Sequence, residues 1–110
     1  MRIIVFSLLL TTLAACGGKE SSDEYLARAR GFMAEANYNA ATIELKNALR
    51  LESDAAEARW LLGKIYLETG DNQSAEKELR RARELYWSPD DIYPALGQVW
   101  LSLGEFDQVL

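Results

Sequence analysis

Apolar residues recur at intervals of three and four along most of the chain, which is the spacing of one face of an α-helix. One such stretch carries Ala41, Leu45, Ala48, Leu49 and Leu51, and a later one carries Ala75, Leu79, Ala82 and Leu85. Polar residues fill the positions between them, as expected of helices with one buried face. The pattern predicts an all-α chain with helices at residues 22–35, 38–51, 55–69, 72–86 and 91–103.

Residues typical of helix starts support these bounds. Ser21 and Glu24 have the spacing of a capping box, and Asp54 and Glu57 predict a second box at the start of the third helix. Short polar side chains also precede the second and fourth helices, where they can accept hydrogen bonds from free backbone N–H groups. These two predicted caps are Asn37 and Asp71.

Glycine and proline set the remaining bounds. Gly70 and Gly104 are expected to end the third and fifth helices in the left-handed conformation. If Ser88 capped the fifth helix, Pro94 would lie beyond the first turn and cost a hydrogen bond. We therefore predict that this helix starts near Asp91.

The chain contains an internal repeat with a fixed offset. The string Leu62-Gly63-x-x-Tyr66-x-x-x-Gly70 returns as Leu96-Gly97-x-x-Trp100-x-x-x-Gly104, and Ala41, Glu44, Leu45, Ala48 and Leu51 return as Ala75, Glu78, Leu79, Ala82 and Leu85. The period of about 34 residues and the composition resemble the tetratricopeptide repeat, a helix–turn–helix unit that stacks into a solenoid. The resemblance implies about two and a half repeats, at residues 22–55, 56–89 and 90–110.

Small and bulky residues recur at fixed places in these repeats. Gly63 and Gly97 lie inside predicted helices, where glycine is accepted if two helices must approach closely, and Ala29 occupies the same place one repeat earlier. Aromatic side chains are expected to fill the gaps between helix pairs; these are Tyr25, Phe32, Tyr66, Tyr93 and Trp100.

Residues 106–110 begin the apolar face of a sixth helix, through Phe106, Val109 and Leu110. Each repeat of a solenoid buries its face on the next, and terminal repeats need a polar cap. We therefore expect these 110 residues to be the N-terminal part of a longer array. A frayed, dimerising or partner-covered end is the alternative.

The N-terminus has the layout of a secretory signal peptide: Arg2, an apolar run at residues 3–10, and small residues before Cys16. The Leu-Ala-Ala-Cys string at residues 13–16 resembles the bacterial lipobox, which implies a signal peptide at 1–15, lipidation of Cys16 and a tether at 16–21. Gly17, rather than an aspartate, then implies sorting to the outer membrane. The alternative is an ordinary cleaved signal followed by an unmodified thiol.

Composition offers little support for catalysis. The chain has no histidine, one cysteine and 17 acidic against 12 basic residues, a net charge of −5. Such a surface does not attract nucleic acid. No phosphate-binding loop or metal-ligand cluster appears, so we expect no catalytic residues, no cofactor, no metal and no small-molecule substrate. The basic residues Lys77, Arg80, Arg81 and Arg83 alternate with glutamates and indicate a solvated helix face.

In the family that this chain resembles, the first helix of each pair lines a groove that binds peptides. Carried to this sequence, the groove row comprises Asp23, Arg30, Glu57, Trp60, Lys64, Asp91 and Gln98. Trp60 is expected to be a partly exposed contact anchor or, alternatively, to pack against a neighbouring repeat. The positions that hold lysine, asparagine and arginine in carboxylate-clamp adaptors are Leu26, Leu61 and Ala95 here, which disfavours that ligand class.

Three strings narrow the resemblance: residues 40–49 (AATIELKNAL), 57–64 (EARWLLGK) and 74–82 (SAEKELRRA). Behind a lipobox they resemble the start of PEP-CTERM-system tetratricopeptide-repeat lipoproteins. This implies a lipid-anchored scaffold facing the periplasm, linked to exopolysaccharide production and protein sorting, whose partner is a protein or peptide. Two alternatives remain open: a lipoprotein of outer-membrane protein assembly or pilus secretion, and the N-terminal module of a longer enzyme.

Overall fold

The computed structural model describes residues 18–109. Within this part the chain forms α1 (Ser22–Ala34), α2 (Tyr38–Leu51), α3 (Ala56–Glu68), α4 (Asn72–Glu84) and α5 (Pro89–Leu103), followed by a short 3-10 helix at Phe106–Gln108. No β-strand occurs in the described residues. The predictions of a signal peptide and of Cys16 lipidation lie outside the described residues.

The helices pack as successive pairs. α1 packs most extensively on α2, and α3 on α4, while α2 contacts α3 and α5 packs on both α4 and α3. Only a short turn joins the helices of each complete pair, so the paired helices are antiparallel neighbours. Each helix therefore contacts only its neighbours along the chain and the equivalent helix of the next pair, which is the arrangement of a helical solenoid.

The same backbone turn ends α1, α3 and α5. Ala36, Gly70 and Gly104 occupy equivalent positions of successive repeats and are all left-handed, with φ of 55°, 82° and 74°. After each, the next N–H donates to a carbonyl earlier in the helix, as from Asn37 to Phe32 at 2.8 Å. This is the Schellman motif, and it confirms the predicted helix ends at the two glycines. Tyr86 closes α4 in the same way, with φ of 63°.

Three of the four predicted N-caps are confirmed, and one is wrong. Ser21 accepts from the N–H of Glu24 in a complete capping box, and the Asn37 and Asp71 side chains cap α2 and α4. The hydrogen bonds from Ser74 lower the pKa of Asp71 and so favour the ionised form of this cap. The box predicted for Asp54 and Glu57 does not form.

The third helix instead begins after Ala55, which makes no side-chain cap. Asp54 therefore lies one residue too early to cap it. The Glu57 carboxylate does not reach back to the helix start, because it is held by Arg30 of α1.

The predicted start of the fifth helix is also wrong. α5 begins at Pro89 after Ser88, and Pro94 lies inside the helix. Pro89 occupies the first helical position, where its fixed φ favours the helix and its missing N–H costs nothing. Pro94 deprives the carbonyl of Asp90 of its usual donor. Because Asp90 is exposed in the first turn, solvent can satisfy that carbonyl and the helix continues.

Two hydrophobic clusters form the core. The first is centred on Leu45 and Leu62 between α1, α2 and α3, and the second on Leu79 and Leu96 between α4 and α5. Trp60 and Tyr66 of α3 pack against both. These two aromatic side chains therefore join the clusters.

The small-residue prediction holds at Gly63 and Ala29 but not at Gly97. A Cβ at Gly63 would lie 2.7 Å from Cγ of Leu79, so α3 and α4 approach closely there, and Ala29 is fully buried. A Cβ at Gly97 would meet nothing within 4 Å. No described side chain therefore faces Gly97 closely.

The aromatic packing prediction holds with one exception. Tyr25, Phe32 and Tyr66 are partly buried against the core, and Trp100 is buried. The prediction for Tyr93 is wrong, because 56% of this residue is exposed. Position 93 points away from the Ile92, Leu96 and Val99 face that α5 buries against α4.

The apolar residues after Gly104 do not form an α-helix within the described residues. Residues Phe106–Gln108 form a 3-10 turn instead, and Val109 is exposed. Among residues 18–109, no helix combines the length and apolar character needed to cross a bilayer.

Candidate partner-binding groove

The odd-numbered helices line a groove on one side of the array, which we call the groove. Its side chains recur at intervals of three and four and so share one face of each helix. They come from α1 (Arg30, Met33, Ala34), α3 (Trp60, Leu61, Lys64, Leu67, Glu68) and α5 (Asp91, Pro94, Ala95, Gln98), with Tyr38 at the start of α2. Two cavities make up the groove.

The α3–α5 cavity has a volume of about 340 Å³. Trp60, Leu67, Pro94 and Ala95 provide its apolar surface, and Lys64, Glu68, Asp91 and Gln98 its polar groups. This combination of an apolar wall with a few polar groups is typical of ligand pockets, and the size is at the lower end of their range.

The α1–α3 cavity continues the groove toward the N-terminal end. It measures about 380 Å³ and is lined by Arg30, Met33, Ala34, Tyr38, Leu61, Lys64 and Glu68. Lys64 and Glu68 line both cavities, so the two are neighbours along a single surface. An elongated surface of this kind suits an extended chain segment.

Trp60 is partly exposed and packs against the core, and its role as a contact anchor stays a prediction. It packs against both core clusters and it also lines the α3–α5 cavity. The ammonium of Lys64 lies 5.3 Å from the centre of the Trp60 ring, within the range of a cation–π contact. The indole is therefore contacted by the core and by Lys64, and it also borders the α3–α5 cavity.

Arg30 and Glu57 form an ion pair across α1 and α3. Nε and Nη2 of Arg30 donate to the two carboxylate oxygens of Glu57 at 2.7 and 2.9 Å. The carboxylate raises the pKa of Arg30. This two-pronged contact fixes the guanidinium at the edge of the groove and neutralises its charge.

The structure brings five predicted groove residues together on the cavity walls: Arg30, Trp60, Lys64, Asp91 and Gln98. Glu57 lines neither cavity and touches the groove only through Arg30. Asp91 lines the α3–α5 cavity and accepts a hydrogen bond from Trp87 Nε1 at 3.1 Å. Asp23 is exposed and lines neither cavity.

Several lining residues were not predicted. Glu68 lies one helical turn after Lys64 on the same helix face, so its spacing could have identified it. Pro94 was considered only as a helix breaker. The clamp positions are apolar in the structure as in the sequence: Leu26, Leu61 and Ala95 are all buried.

The basic residues of α4 line neither groove cavity, and two of them pair within their own helix. Arg80 contacts Glu76 at 2.6 Å and Arg81 contacts Glu84 at 3.0 Å. The Arg81–Glu84 pair is exposed, as on a solvated helix face, whereas Glu76 is partly buried and also accepts a hydrogen bond from Trp100 Nε1. Within residues 18–109, no three His, Cys, Asp or Glu side chains are grouped as a metal site would require.

Residues 32–86 match the tetratricopeptide repeat family, and this match covers half of the chain. The chain belongs to the tetratricopeptide repeat family. Repeats of this family generally mediate protein–protein interaction. No curated protein sequence matches the chain.

Proposed function

We propose that the chain is a protein-interaction scaffold whose groove holds a segment of a partner protein. The observation that carries the proposal is Trp60, a core-supported indole that lines a cavity together with Lys64 and Gln98. Aromatic anchors in partly apolar pockets supply much of the binding energy at protein interfaces.

Crosslinking from within the groove tests this proposal. A photo-crosslinker, benzoylphenylalanine, replaces Gln98 on the exposed groove side of α5 or Gln73 on the exposed side of α4. Irradiated cells should give a defined protein adduct with the crosslinker at position 98 and none at position 73. Equal adducts at the two positions would contradict a binding groove.

We further propose that the scaffold is anchored to the outer membrane through lipid on Cys16 and faces the periplasm. The support is the lipobox resemblance at residues 13–16. The segment between Cys16 and the first contact with the repeats is short, because Glu20 already accepts hydrogen bonds from Arg28 of α1 at 2.9 and 3.1 Å. Because the chain from Cys16 to Glu20 spans at most about 14 Å, the repeats would lie close to the membrane surface.

Lipidation predicts that a Cys16→Ser variant leaves the membrane fraction or stays unprocessed, and that it does not incorporate labelled palmitate. At least two acyl chains are needed for stable anchoring, so loss of the thiol should abolish it. Gly17→Ser is the matched control and should fractionate normally. Membrane association and normal processing of Cys16→Ser would contradict the anchor.

We propose exopolysaccharide production and PEP-CTERM protein sorting as the cellular setting. This rests on the resemblance of residues 40–49, 57–64 and 74–82 to lipoproteins of that system. The partner would then be a periplasmic component of polysaccharide export or sorting, bound without nucleic acid, cofactor or small-molecule substrate.

A further inference from the structure

We infer that the groove selects a partner segment in which a lysine or arginine lies beside an apolar side chain, with the cation held by Glu68 and Asp91. This inference rests on the proposed function and narrows the chemistry of the partner. It is based on a comparison of the charged groove residues that have a partner of opposite charge within the chain with those that do not.

The basic end of the groove has little charge to offer an acidic ligand. Arg30 is the cation that belongs to the α1–α3 cavity alone, and two of its three guanidinium nitrogens donate to Glu57, at 2.7 and 2.9 Å. Lys64 remains, but Glu68 accompanies it in both cavities. These four side chains sum to zero formal charge.

The α5 end of the groove keeps a negative surplus. The α3–α5 cavity contains one cation, Lys64, against two carboxylates, Glu68 and Asp91. Asp91 is oriented by the indole N–H of Trp87, a neutral donor that leaves its charge intact. Neither carboxylate forms an ion pair within residues 18–109. A cation from a partner would complete this site.

The same cavity specifies an apolar neighbour for that cation. Trp60, Leu67, Pro94 and Ala95 form the apolar part of the lining of this cavity of about 340 Å³, which the two carboxylates also line. An aromatic or long aliphatic side chain can fill it, and the methylene stem of lysine or arginine can lie along the same surface. The two features lie in one cavity, so the partner's apolar and basic residues must be close in its sequence.

A peptide selection on the purified full chain tests the inference. The probe is a bead-displayed library of random dodecapeptides, followed by affinity measurements on the enriched sequences. Enriched peptides should place Lys or Arg within two positions of Trp, Phe, Leu or Ile. Their binding should weaken in high salt, as expected of partly exposed ion pairs.

Matched charge variants locate the cation site. The double variant Glu68→Gln/Asp91→Asn should weaken these peptides about 3- to 10-fold, because each exposed ion pair contributes only modestly. The control Glu52→Gln/Glu84→Gln removes the same charge from positions that line neither groove cavity. It should leave the affinity unchanged.

The outcomes separate this inference from the proposed function. If no peptide binds the wild-type chain, or if Trp60→Ala binds as well as wild type, the groove proposal itself is wrong. If peptides bind and are lost in Trp60→Ala but show no basic residue, or ignore Glu68→Gln/Asp91→Asn, the cation inference is wrong and the groove stands.

Discussion

Ala36 holds a backbone conformation that favours glycine. Its φ of 55° lies in the left-handed region, and the equivalent residues of the next two repeats, Gly70 and Gly104, are left-handed as well. For a residue with a Cβ this conformation costs about 1–2 kcal/mol. The Schellman hydrogen bonds and the cap by Asn37 hold the alanine there, so the turn is formed at some cost in stability.

Ala36→Gly should therefore raise the free energy of unfolding by about 0.5–1 kcal/mol, since relief of strain exceeds the added flexibility of the unfolded chain. Thermal unfolding should shift upward by a few degrees. The matched control is Ala34→Gly in the last turn of α1, where glycine should lower stability by about 0.5–1 kcal/mol. A shift of the same sign for both variants would contradict the assigned turn.

At the scale of elements, the contact between α3 and α4 is set by Gly63. Leu79 is fully buried and its Cγ occupies the space that a Cβ would need. α5 presents Gly97 at the equivalent position of the next repeat, yet no described atom faces it. The two glycines share a repeat position and differ only in what lies opposite.

This difference predicts opposite signs for one substitution. Gly63→Ala should lower the free energy of unfolding by about 1–2 kcal/mol, because overpacking a tight contact outweighs the gain in helix propensity. Gly97→Ala should raise it by up to about 1 kcal/mol, because only the propensity changes. Chemical denaturation of the two variants measures both. Loss of stability in Gly97→Ala would show that the open position is wrongly assigned.

The helical elements were largely predictable because their signals are local and repeated. The fixed repeat offset set the register, and Asn37, Asp71 and Gly104 mark bounds that the structure confirms. The errors arise where the local structure depends on a side chain of another helix or on access of solvent. Glu57 left its predicted capping box for Arg30 of another helix, and the position of Pro94 depended on whether solvent could reach one carbonyl.

At the scale of the whole molecule, side chains of α3 connect the two core clusters. Trp60 and Tyr66 each pack against both clusters. Trp60 also lines the groove, and Tyr66 lines a separate cavity between α2 and α3. The groove is therefore built on the same helix that joins the repeats. The α3 side chains that would contact a partner therefore lie next to those that stabilise the array.

The sequence predicted the groove's location better than its chemistry. The resemblance to the repeat family implied that Arg30, Trp60, Lys64 and Gln98 share one surface, and all four line its cavities. Pairing across helices was not predictable, because it depends on side-chain reach between α1 and α3. Arg30, which the sequence indicates as a partner contact, forms an ion pair with Glu57 in the structure. The repeat boundaries at residues 55/56 and 89/90 stay a prediction.

The central claim is that Trp60 serves a partner as well as the core, and a comparison of Trp60→Ala with Tyr66→Ala tests it most directly. Both indole and phenol are partly buried against the same two clusters, so each truncation should cost about 2 kcal/mol or more of stability. Partner capture is measured below both melting temperatures by co-purification from the native cells. Trp60→Ala should weaken capture about 30-fold, as for a central anchor, whereas Tyr66→Ala should retain it. Undiminished capture by Trp60→Ala, together with a lower melting temperature, would contradict the account and leave Trp60 as a core residue alone.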